Sequence, residues 1–360
     1  MTTAPNRATW RPLFLGALVA FAPLWAKAQT ADSVFKTVKV GERAYALVGE
    51  LTQRSPSNLG NNMTGGFIVA DDGVVVIDSG GSKAGAEVIV QAVRAVTDKH
   101  ILWVVNSGGQ DHRWLGNDHF QKVVGARVIA SDAGKQDQKA RTFQQLDMAQ
   151  RNVGERFAGT VAAYPDETFS RRYRLPVKGV QIDLIDVGGA HTPADLIVWL
   201  PQERIAFAGD VVFHERLLGI QPGLGLKWIA ALKLLRDDLK PLIVVPGHGR
   251  PGPPERVIPD SLGYLEMLRD GAKNAFKAGA FDPVEAASAI DQSAFSDLER
   301  TVHYVSRVGL DYVKKRILED AEGRKALWEQ LQFALDGEPD PWFDFEEAAV
   351  DTRQFEALPS

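Results

Sequence analysis

Short apolar runs alternate with segments of helical periodicity over most of the region between Val38 and Val245. The first four runs form two pairs that are typical of β-hairpins, the second with the turn Asp71-Asp72-Gly73 between its strands. Later runs such as Ile101–Val105 are continuously apolar, as expected for strands buried on both faces. The hairpins argue against a purely parallel doubly wound sheet, and the helical segments argue against an all-β sandwich. We therefore predict a mixed α/β layered fold.

The predicted elements fall into two groups along the chain. The strands cover residues 38–40, 45–48, 66–70, 74–77, 101–105, 181–187, 196–200, 205–208 and 242–245. Helices are predicted at 84–96 and 133–152 between these strands, and at 261–277, 283–290, 298–320 and 324–335 after them.

The N-terminal 28 residues have the composition of a secretory signal peptide. Arg7 and Arg11 precede an uncharged stretch at 13–25, and Ala26-Lys27-Ala28 fits the small-x-small cleavage rule. The stretch is shorter than the roughly 20 apolar residues that a bilayer span needs. We expect export to a bacterial periplasm and a mature chain that begins at Gln29. An uncleaved N-terminal helix is the alternative.

A segment rich in proline and glycine and a change in composition divide the rest of the chain. The sequence Pro251-Gly252-Pro253-Pro254 separates a main domain at 29–254 from a helical C-terminal extension at 255–335. An acidic tail at 336–360 follows.

Composition excludes several classes of function. The chain has no Cys, so disulfides, thiolate metal sites and cysteine nucleophiles are excluded. A formal charge of −5 offers no basic surface for nucleic acid. We expect a small-molecule substrate, no nucleic-acid partner and no membrane association after signal cleavage. Any metal ligands must be His and carboxylate side chains.

Three potential metal ligands follow predicted strands. His191 comes just after the strand that ends at Val187, Asp210 follows the run at 205–208, and His248 lies between two glycines after the run at 242–245. Open α/β sheets build their sites at such strand ends. Imidazole and carboxylate groups that converge there suit a divalent metal ion.

The sequence resembles the metallo-β-lactamase-fold hydrolases over about Val38 to Gly249. The resemblance rests on segments 72–80, 189–195, 208–210 and 246–249, whose order and spacing agree with that family. It implies a four-layered αβ/βα sandwich with a metal site at the edge where the two sheets meet. Within the family, the sequence is most similar to exported hydrolases associated with sulfur oxidation and quinoprotein systems.

The family's His-x-His-x-Asp-His motif is degenerate in this chain. An ungapped alignment of residues 106–117 replaces the two leading His by Gly108 and Gln110, the Asp by His112 and the final His by Arg113. A one-residue slip would instead match Asp111-His112 to the motif's Asp-His pair. The ungapped alignment predicts that restoring His at 108, 110 and 113 also restores a second metal ion.

The resemblance implies a reduced site with one divalent ion per chain, zinc or another metal. The implied ligands are Asp210, His248, His191 and either His112 or Asp111. Three protein ligands and a water suffice for a catalytic zinc.

Other residues of the motif region receive supporting roles. Asp78 matches a family position that supports the ligand loop. With His112 in place of the motif's Asp, deprotonation of a water needs another base, which we assign to Asp111, with Asp210 as the second catalytic residue. Arg113 and Gln110 are expected to bind an anion or the substrate.

Two functional hypotheses follow from the resemblance. The first is an exported metal-dependent hydrolase in which a metal-activated water attacks an ester, thioester or lactam carbonyl. The alternative is a non-catalytic periplasmic binding or accessory protein that retains the fold. A purely structural role is third, because His191, Asp210 and His248 have no obvious packing reason.

Overall fold

A seven-stranded mixed sheet forms the N-terminal half of the structure, a computed structural model that describes residues 30–220, 224–278 and 290–298. Its strands follow one another in chain order: β1 (Lys36–Lys39), β2 (Ala44–Val48), β3 (Thr64–Val69), β4 (Val74–Ile77), β5 (Ile101–Val105), β6 (Arg127–Ser131) and β7 (Glu167–Phe169). Strands β1 to β4 pair antiparallel, as the predicted hairpins require. Strands β4 to β7 pair in parallel, because helical crossovers connect them.

A five-stranded sheet forms the second half. Its spatial order is the reverse of the chain order, and its strands are β8 (Arg172–Arg174), β9 (Asp183–Asp186), β10 (Leu196–Leu200), β11 (Ile205–Phe213) and β12 (Ile243–His248). Strands β8 to β11 pair antiparallel, whereas β11 and β12 pair in parallel. The parallel pair matters for function, because its two carboxyl ends lie side by side.

Helices cover the outer faces of both sheets. They are α1 (Ala31–Val34), α2 (Lys83–Arg94), α3 (Asp111–Trp114), α4 (Asn117–His119), α5 (Asp132–Val153), α6 (Gly225–Lys233), α7 (Pro254–Val257) and α8 (Pro259–Lys277). Single π-helical turns extend two of them, at Phe120–Val124 and Leu234–Leu239, and short 3₁₀ turns lie at Gly154–Phe157 and Ser293–Phe295. No helix among the described residues is long and apolar enough to cross a membrane.

Three hydrophobic cores define the layers. The α2 residues Val88 and Ile89 pack against one face of the first sheet with Phe67 of β3. The inner faces of the two sheets meet in a core that includes Ile68 of β3 and Val198 of β10. On the outer face of the second sheet, side chains of α6, α7 and α8 pack against β11. The predicted four-layered αβ/βα sandwich is therefore confirmed.

Some sequence predictions differ from the structure in extent. Strand β11 was expected to end at Ala208 but continues to Phe213. Strands β6, β7 and β8 and helix α6 were not predicted. The predicted helix at 261–277 is present within α8. The signal peptide, the helix at 324–335 and the acidic tail lie outside the described residues, as do residues 283–289 and 299–320 of two further predicted helices.

Candidate metal centre

Strands β11 and β12 bring Asp210 and His248 together at the edge of the second sheet. The two strands run in parallel, and their register shifts on either side of Gly209. Gly209 has a φ of 50°, and a Cβ built there would lie 2.6 Å from Ser107 Oγ. A Cβ on Gly247 would lie 2.3 Å from the carbonyl oxygen of Gly209. Glycine at these two positions therefore allows the backbones to approach closely enough to deliver both side chains.

His112 reaches the same point from the first sheet. Strand β5 ends at Val105, and the chain turns into the short helix α3, on which His112 lies. The turn is fixed by Asn106, whose side-chain amide donates to the carbonyl oxygen of Arg113 and to Asn117 Oδ1. The site therefore lies where the edges of the two sheets meet.

One ligand atom from each of His112, Asp210 and His248 lies within 4.8 Å of the other two. His112 Nε2 lies 3.4 Å from Asp210 Oδ2, and His248 Nε2 lies 3.2 Å from Asp210 Oδ1. Ligand atoms about 2.0–2.1 Å from a tetrahedral zinc ion are about 3.3–3.4 Å apart. All three side chains are buried, and His112 Nε2 has no hydrogen-bond partner among the residues that the structure describes. The three residues therefore fit a divalent metal ion, with room in its coordination for a water or a substrate atom.

The Nδ1 atoms of both histidines face acceptors on the side away from Asp210. His248 Nδ1 lies 2.8 Å from the carbonyl oxygen of Asn62, and His112 Nδ1 lies 3.2 Å from Asp111 Oδ1. Metal-bound histidines commonly donate their second ring N–H to such groups, which orients the ring.

An arginine also approaches each of these two nitrogens. Arg54 Nη2 lies 2.6 Å from His112 Nδ1, and Arg216 Nη1 lies 2.8 Å from His248 Nδ1. Because an arginine can only donate, each Nδ1 either accepts from its arginine or carries a proton and donates to Asp111 or Asn62, and a metal ion on Nε2 would select the second arrangement. Burial, followed by the charge of Arg216, holds the pKa of His248 well below its usual range. His248 is therefore neutral near pH 7, which is the form that binds metal.

Arg113 lies behind the metal ligands. Its Nη2 and Nε donate to Asp210 at 2.6 and 3.2 Å, and its Nη1 donates to Asp78 Oδ2 at 2.7 Å. The remaining N–H groups donate to the carbonyl oxygens of Thr64 and Gly247. The side chain is fully buried. Every N–H group of the guanidinium already has a protein acceptor, so this arrangement leaves none for the anion or substrate expected at Arg113.

The same arrangement explains how Asp210 stays ionised. Burial alone would raise the pKa of Asp210, but the adjacent Arg113 charge outweighs burial and holds that pKa well below its usual range. Asp78 has a left-handed backbone with a φ of 69° and accepts hydrogen bonds from the Ser107 backbone N–H and Oγ at 2.7 and 2.9 Å. Asp78 thus ties the ligand loop to the arginine that orients Asp210.

Asp111 lies behind His112 rather than in front of it. Its carboxylate accepts from Arg54 Nε at 2.6 Å and also pairs with Arg54 Nη2. Burial would raise the pKa of Asp111, but the Arg54 charge and His112 hold it well below its usual range. A carboxylate with so low a pKa is a weak base. The base and ligand roles expected for Asp111 therefore give way to orientation of His112.

His191 lies beside the three-residue ligand group but outside it. Its Nε2 contacts Gln110 Nε2 at 2.9 Å, and its Nδ1 contacts the carbonyl oxygen of Gly219 at 2.9 Å. Both ring nitrogens are engaged by protein atoms, so the ligand role expected for His191 is not available in this arrangement. Burial lowers the pKa of His191 to about 4, so the ring is neutral near pH 7.

The space beside Gly108 is occupied by the side chain of Asp195. A Cβ on Gly108 would lie 2.7 Å from Asp195 Oδ1. The Asp195 carboxyl is buried and accepts from the backbone N–H and the hydroxyl of Thr192 at 2.6 and 2.9 Å. A histidine at 108 would therefore need Asp195 to move. Asp195 therefore occupies the space that a side chain at position 108 would need.

Several residues of the site were not found from the sequence. Arg54 belongs to the loop before β3, and Arg141 belongs to α5, where its Nη1 donates to Gln110 Oε1 at 3.3 Å. Arg54 lies 57 positions from Asp111 and Arg141 lies 31 positions from Gln110. No local motif marks either arginine. One local feature could have pointed to Arg54. Asp111 lies directly beside His112, and a buried carboxylate at that position needs a cationic partner.

Comparisons with known proteins identify the family to which this fold belongs. Residues 65–248, about half of the chain, match the model of the Metallo-beta-lactamase superfamily. A metallo-beta-lactamase from Pontibacter korlensis is similar at 21% identity with a TM-score of 0.50, covering 64% of this chain and 99% of that chain. The DIM-1 metallo-beta-lactamase exposed to ceftazidime is similar at 19% identity with a TM-score of 0.51, covering 65% and 97%. No curated protein matches the chain. The chain belongs to the metallo-beta-lactamase superfamily.

Proposed function

We propose that the protein is a metal-dependent hydrolase with one divalent ion, zinc or a similar metal, held by His112, Asp210 and His248. The observation that carries the proposal is the spacing of the three ligand atoms around His112 Nε2, a buried nitrogen without a hydrogen-bond partner among the described residues. The superfamily consists mostly of metal-dependent hydrolases, and two imidazoles with one carboxylate are a ligand set of catalytic zinc sites.

A bound divalent ion supplies Lewis acidity, which lowers the pKa of a coordinated water toward 7 and polarises a carbonyl. The protein supplies orientation. Arg113 fixes both oxygens of Asp210, and Asn62 and Asp111 orient the two imidazoles from behind. Because the ligands are buried, bulk water competes little for these contacts.

The substrate class we propose is a small molecule with an ester, thioester or lactam carbonyl. The lactam is included because structural neighbours are named metallo-beta-lactamases, one of them exposed to ceftazidime. The alternative of a non-catalytic binding or accessory protein has no specific observation in its favour, since a pure binding role does not require the ligand geometry around Asp210.

We also propose that residues 1–28 direct export to the periplasm, as in the exported branch associated with sulfur oxidation that the sequence resembles. Mass spectrometry of the N-terminus of exported protein tests this step. A mature chain that begins at Gln29 supports export, and an intact Met1 on a membrane-bound form contradicts it.

Metal content and hydrolysis, measured together, test the function. Untagged protein analysed by plasma emission spectrometry should hold one divalent ion per chain, and it should hydrolyse members of an ester, thioester and lactam panel. Asp210→Ala and His248→Ala should lose both properties, whereas His100→Ala, at an exposed position, should lose neither. Two ions per chain would contradict the single-metal site. One ion without hydrolysis of any panel member would favour the accessory-protein alternative.

A further inference from the structure

A chain of four polar groups lies beside the three-residue ligand group, and it includes residues that the family resemblance matches to ligands of a first metal ion. Arg141 Nη1 lies 3.3 Å from Gln110 Oε1, Gln110 Nε2 lies 2.9 Å from His191 Nε2, and His191 Nδ1 lies 2.9 Å from the carbonyl oxygen of Gly219. Gln110 and His191 match two of the three ligands of that first metal in the family resemblance. The amide of Gln110 thus occupies the space in front of His191 Nε2.

The ends of this chain fix the direction of every hydrogen bond in it. An arginine side chain can only donate, so Gln110 must turn its Oε1 toward Arg141 and its Nε2 toward His191. A backbone carbonyl can only accept, so His191 must carry its proton on Nδ1 and accept at Nε2. At the contact between Gln110 and His191, the first requirement makes Gln110 Nε2 the donor and the second makes His191 Nε2 the acceptor, so the two are compatible. The chain therefore has one consistent arrangement, in which no hydrogen bond among the described residues uses the second N–H of Gln110 Nε2.

The ring of His191, which Gln110 contacts, lies near the three-residue ligand group, since it interacts electrostatically with Asp210 and His112. Gln110 comes two residues before His112 and forms the N-terminal cap position of α3. The His191 ring packs against Phe213, with ring centroids 5.3 Å apart, and Phe213 stacks on His248 at 4.7 Å. Gln110 is half-buried, so part of the residue remains accessible to a ligand.

Arg141 is held in place by a second contact. Its Nε donates to Asp137 Oδ1 at 2.8 Å, one helical turn earlier on α5, and its Nη2 also pairs with Asp137. The pair leaves little net charge at the site. The hydrogen bond from Arg141 to Gln110 Oε1 polarises the amide, which makes its N–H groups better donors.

We infer that Gln110 takes the place of the first metal ion and binds the substrate oxygen on which negative charge develops. Arg141 is then the positioning residue for the amide of Gln110. This inference rests on the proposed single-metal function. The substrate oxygen would accept the free N–H of Gln110, as an oxyanion accepts from a side-chain amide in other hydrolases. The substrate class is therefore one whose acyl or carboxylate oxygen can reach both the metal and Gln110.

Acetate is a suitable probe, because one carboxylate oxygen can reach the metal while the other accepts from Gln110. The full mature protein, loaded with one equivalent of Co²⁺, is titrated with acetate while the cobalt absorption is recorded. Gln110→Met should weaken acetate binding about tenfold, the loss expected for one hydrogen bond to a charged group. Gln110→Glu, which keeps the shape but removes the donor, should weaken it further. Arg141→Met should weaken it several-fold, and Arg141→Lys should recover part of the loss.

Two variants on α5 serve as matched controls. Arg151 forms an exposed pair with Asp147 at the same i,i+4 spacing as Arg141 with Asp137, and Gln150 is exposed. Arg151→Met and Gln150→Met should bind acetate as the wild type does. All variants should retain one Co²⁺ per chain, because neither Gln110 nor Arg141 is a ligand. Equal acetate affinity in the wild type and Gln110→Met would overturn the inference.

A measurement on the metal-free protein separates this inference from the proposed function. Nitrogen-15 NMR of the wild type should show His191 protonated at Nδ1 and hydrogen-bonded as an acceptor at Nε2, and Gln110→Met should abolish the Nε2 signature. A His191 proton on Nε2 would overturn the hydrogen-bond chain whether or not metal binds. Failure of the wild type to bind Co²⁺, with the His191 tautomer as expected, would instead count against the proposed metal function.

Discussion

Arg113 donates to both carboxylate oxygens of Asp210, with Nη2 2.6 Å from Oδ1 and Nε 3.2 Å from Oδ2. The same oxygens face His112 and His248 on their other side. Asp210 therefore lies between a fixed positive charge and two imidazole rings. Arg113 thus orients the Asp210 carboxylate from behind and leaves open the side that faces the two histidines.

Replacement of Arg113 should destabilise the protein strongly. Arg113→Met leaves the buried carboxylates of Asp210 and Asp78 without a cationic partner, and breaking such a pair costs about 3–5 kcal/mol of unfolding free energy. Urea unfolding of metal-free protein measures the loss. Arg43→Met provides the control, because Arg43 and Asp71 form a solvent-exposed pair, and such pairs contribute little to stability. Equal losses for the two variants would contradict the central role of Arg113.

Asp111 should affect metal affinity rather than proton transfer. Asp111→Asn weakens the acceptor behind His112 Nδ1, and loss of such an outer contact typically lowers metal affinity about 10–100-fold. Competition with a chromophoric chelator measures the affinity. Asp147→Asn, on the surface of α5, should leave it unchanged. If Asp111 were the general base, Asp111→Asn would bind metal normally and lose only turnover.

Much of the fold was predictable because its central strands are buried on both faces. Strands β4, β5, β10 and β11 consist largely of apolar residues, which gives a continuous pattern. Strands β7 and β8 have three residues each and carry charged side chains, so they give no pattern. Strand β11 continues through the polar Asp210 because Gly209 and a register shift keep it paired with β12.

The site was predictable only where a ligand follows a strand or belongs to the motif. The convergence of His112, Asp210 and His248 could be expected for this reason. The orientation of Arg113 was not, because its partners Asp78 and Asp210 are 35 and 97 positions away and become neighbours only when the two sheets pack. Side-chain direction is a tertiary property, and the ungapped alignment carries no information on it.

The space at Gly108 should limit attempts to restore a second metal ion. Gly108→Ala places a Cβ 2.7 Å from Asp195 Oδ1. Overpacking of this kind costs about 1–3 kcal/mol, and Asp195→Gly should relieve most of that cost in the double variant. Unfolding free energies of the two single variants and the double variant form the test. Additive losses would show that the two residues do not compete for space.

The triple variant with His at 108, 110 and 113 should therefore fail to gain a second ion. It inserts a side chain against Asp195, and it removes the arginine that pairs with Asp210. Plasma emission spectrometry of the purified variant measures the ratio of metal to protein. Two ions per chain in a stable triple variant would contradict this prediction. Such a result would show that the missing histidine side chains alone prevent the wild type from binding a second ion.

His191 should make the stability of the metal-free protein depend on pH. Burial lowers the pKa of His191 to about 4, whereas an unfolded histidine has a pKa of about 6.5. As the pH falls below about 6.5, the unfolded chain binds a proton that the folded chain does not, so the free energy of unfolding decreases by up to about 3 kcal/mol by pH 4. Protonation of Nε2 would also break its contact with Gln110.

His191→Gln removes the titrating group, so its unfolding free energy should fall less than that of the wild type between about pH 7 and about pH 4.5. Urea unfolding in the presence of a chelator measures both proteins without a contribution from metal. His100→Gln is the control, because His100 is exposed and should leave the pH dependence unchanged. If the wild type and His191→Gln lost equal stability over this range, His191 would not be held neutral by burial, and the acceptor role of its Nε2 would lose its physical basis.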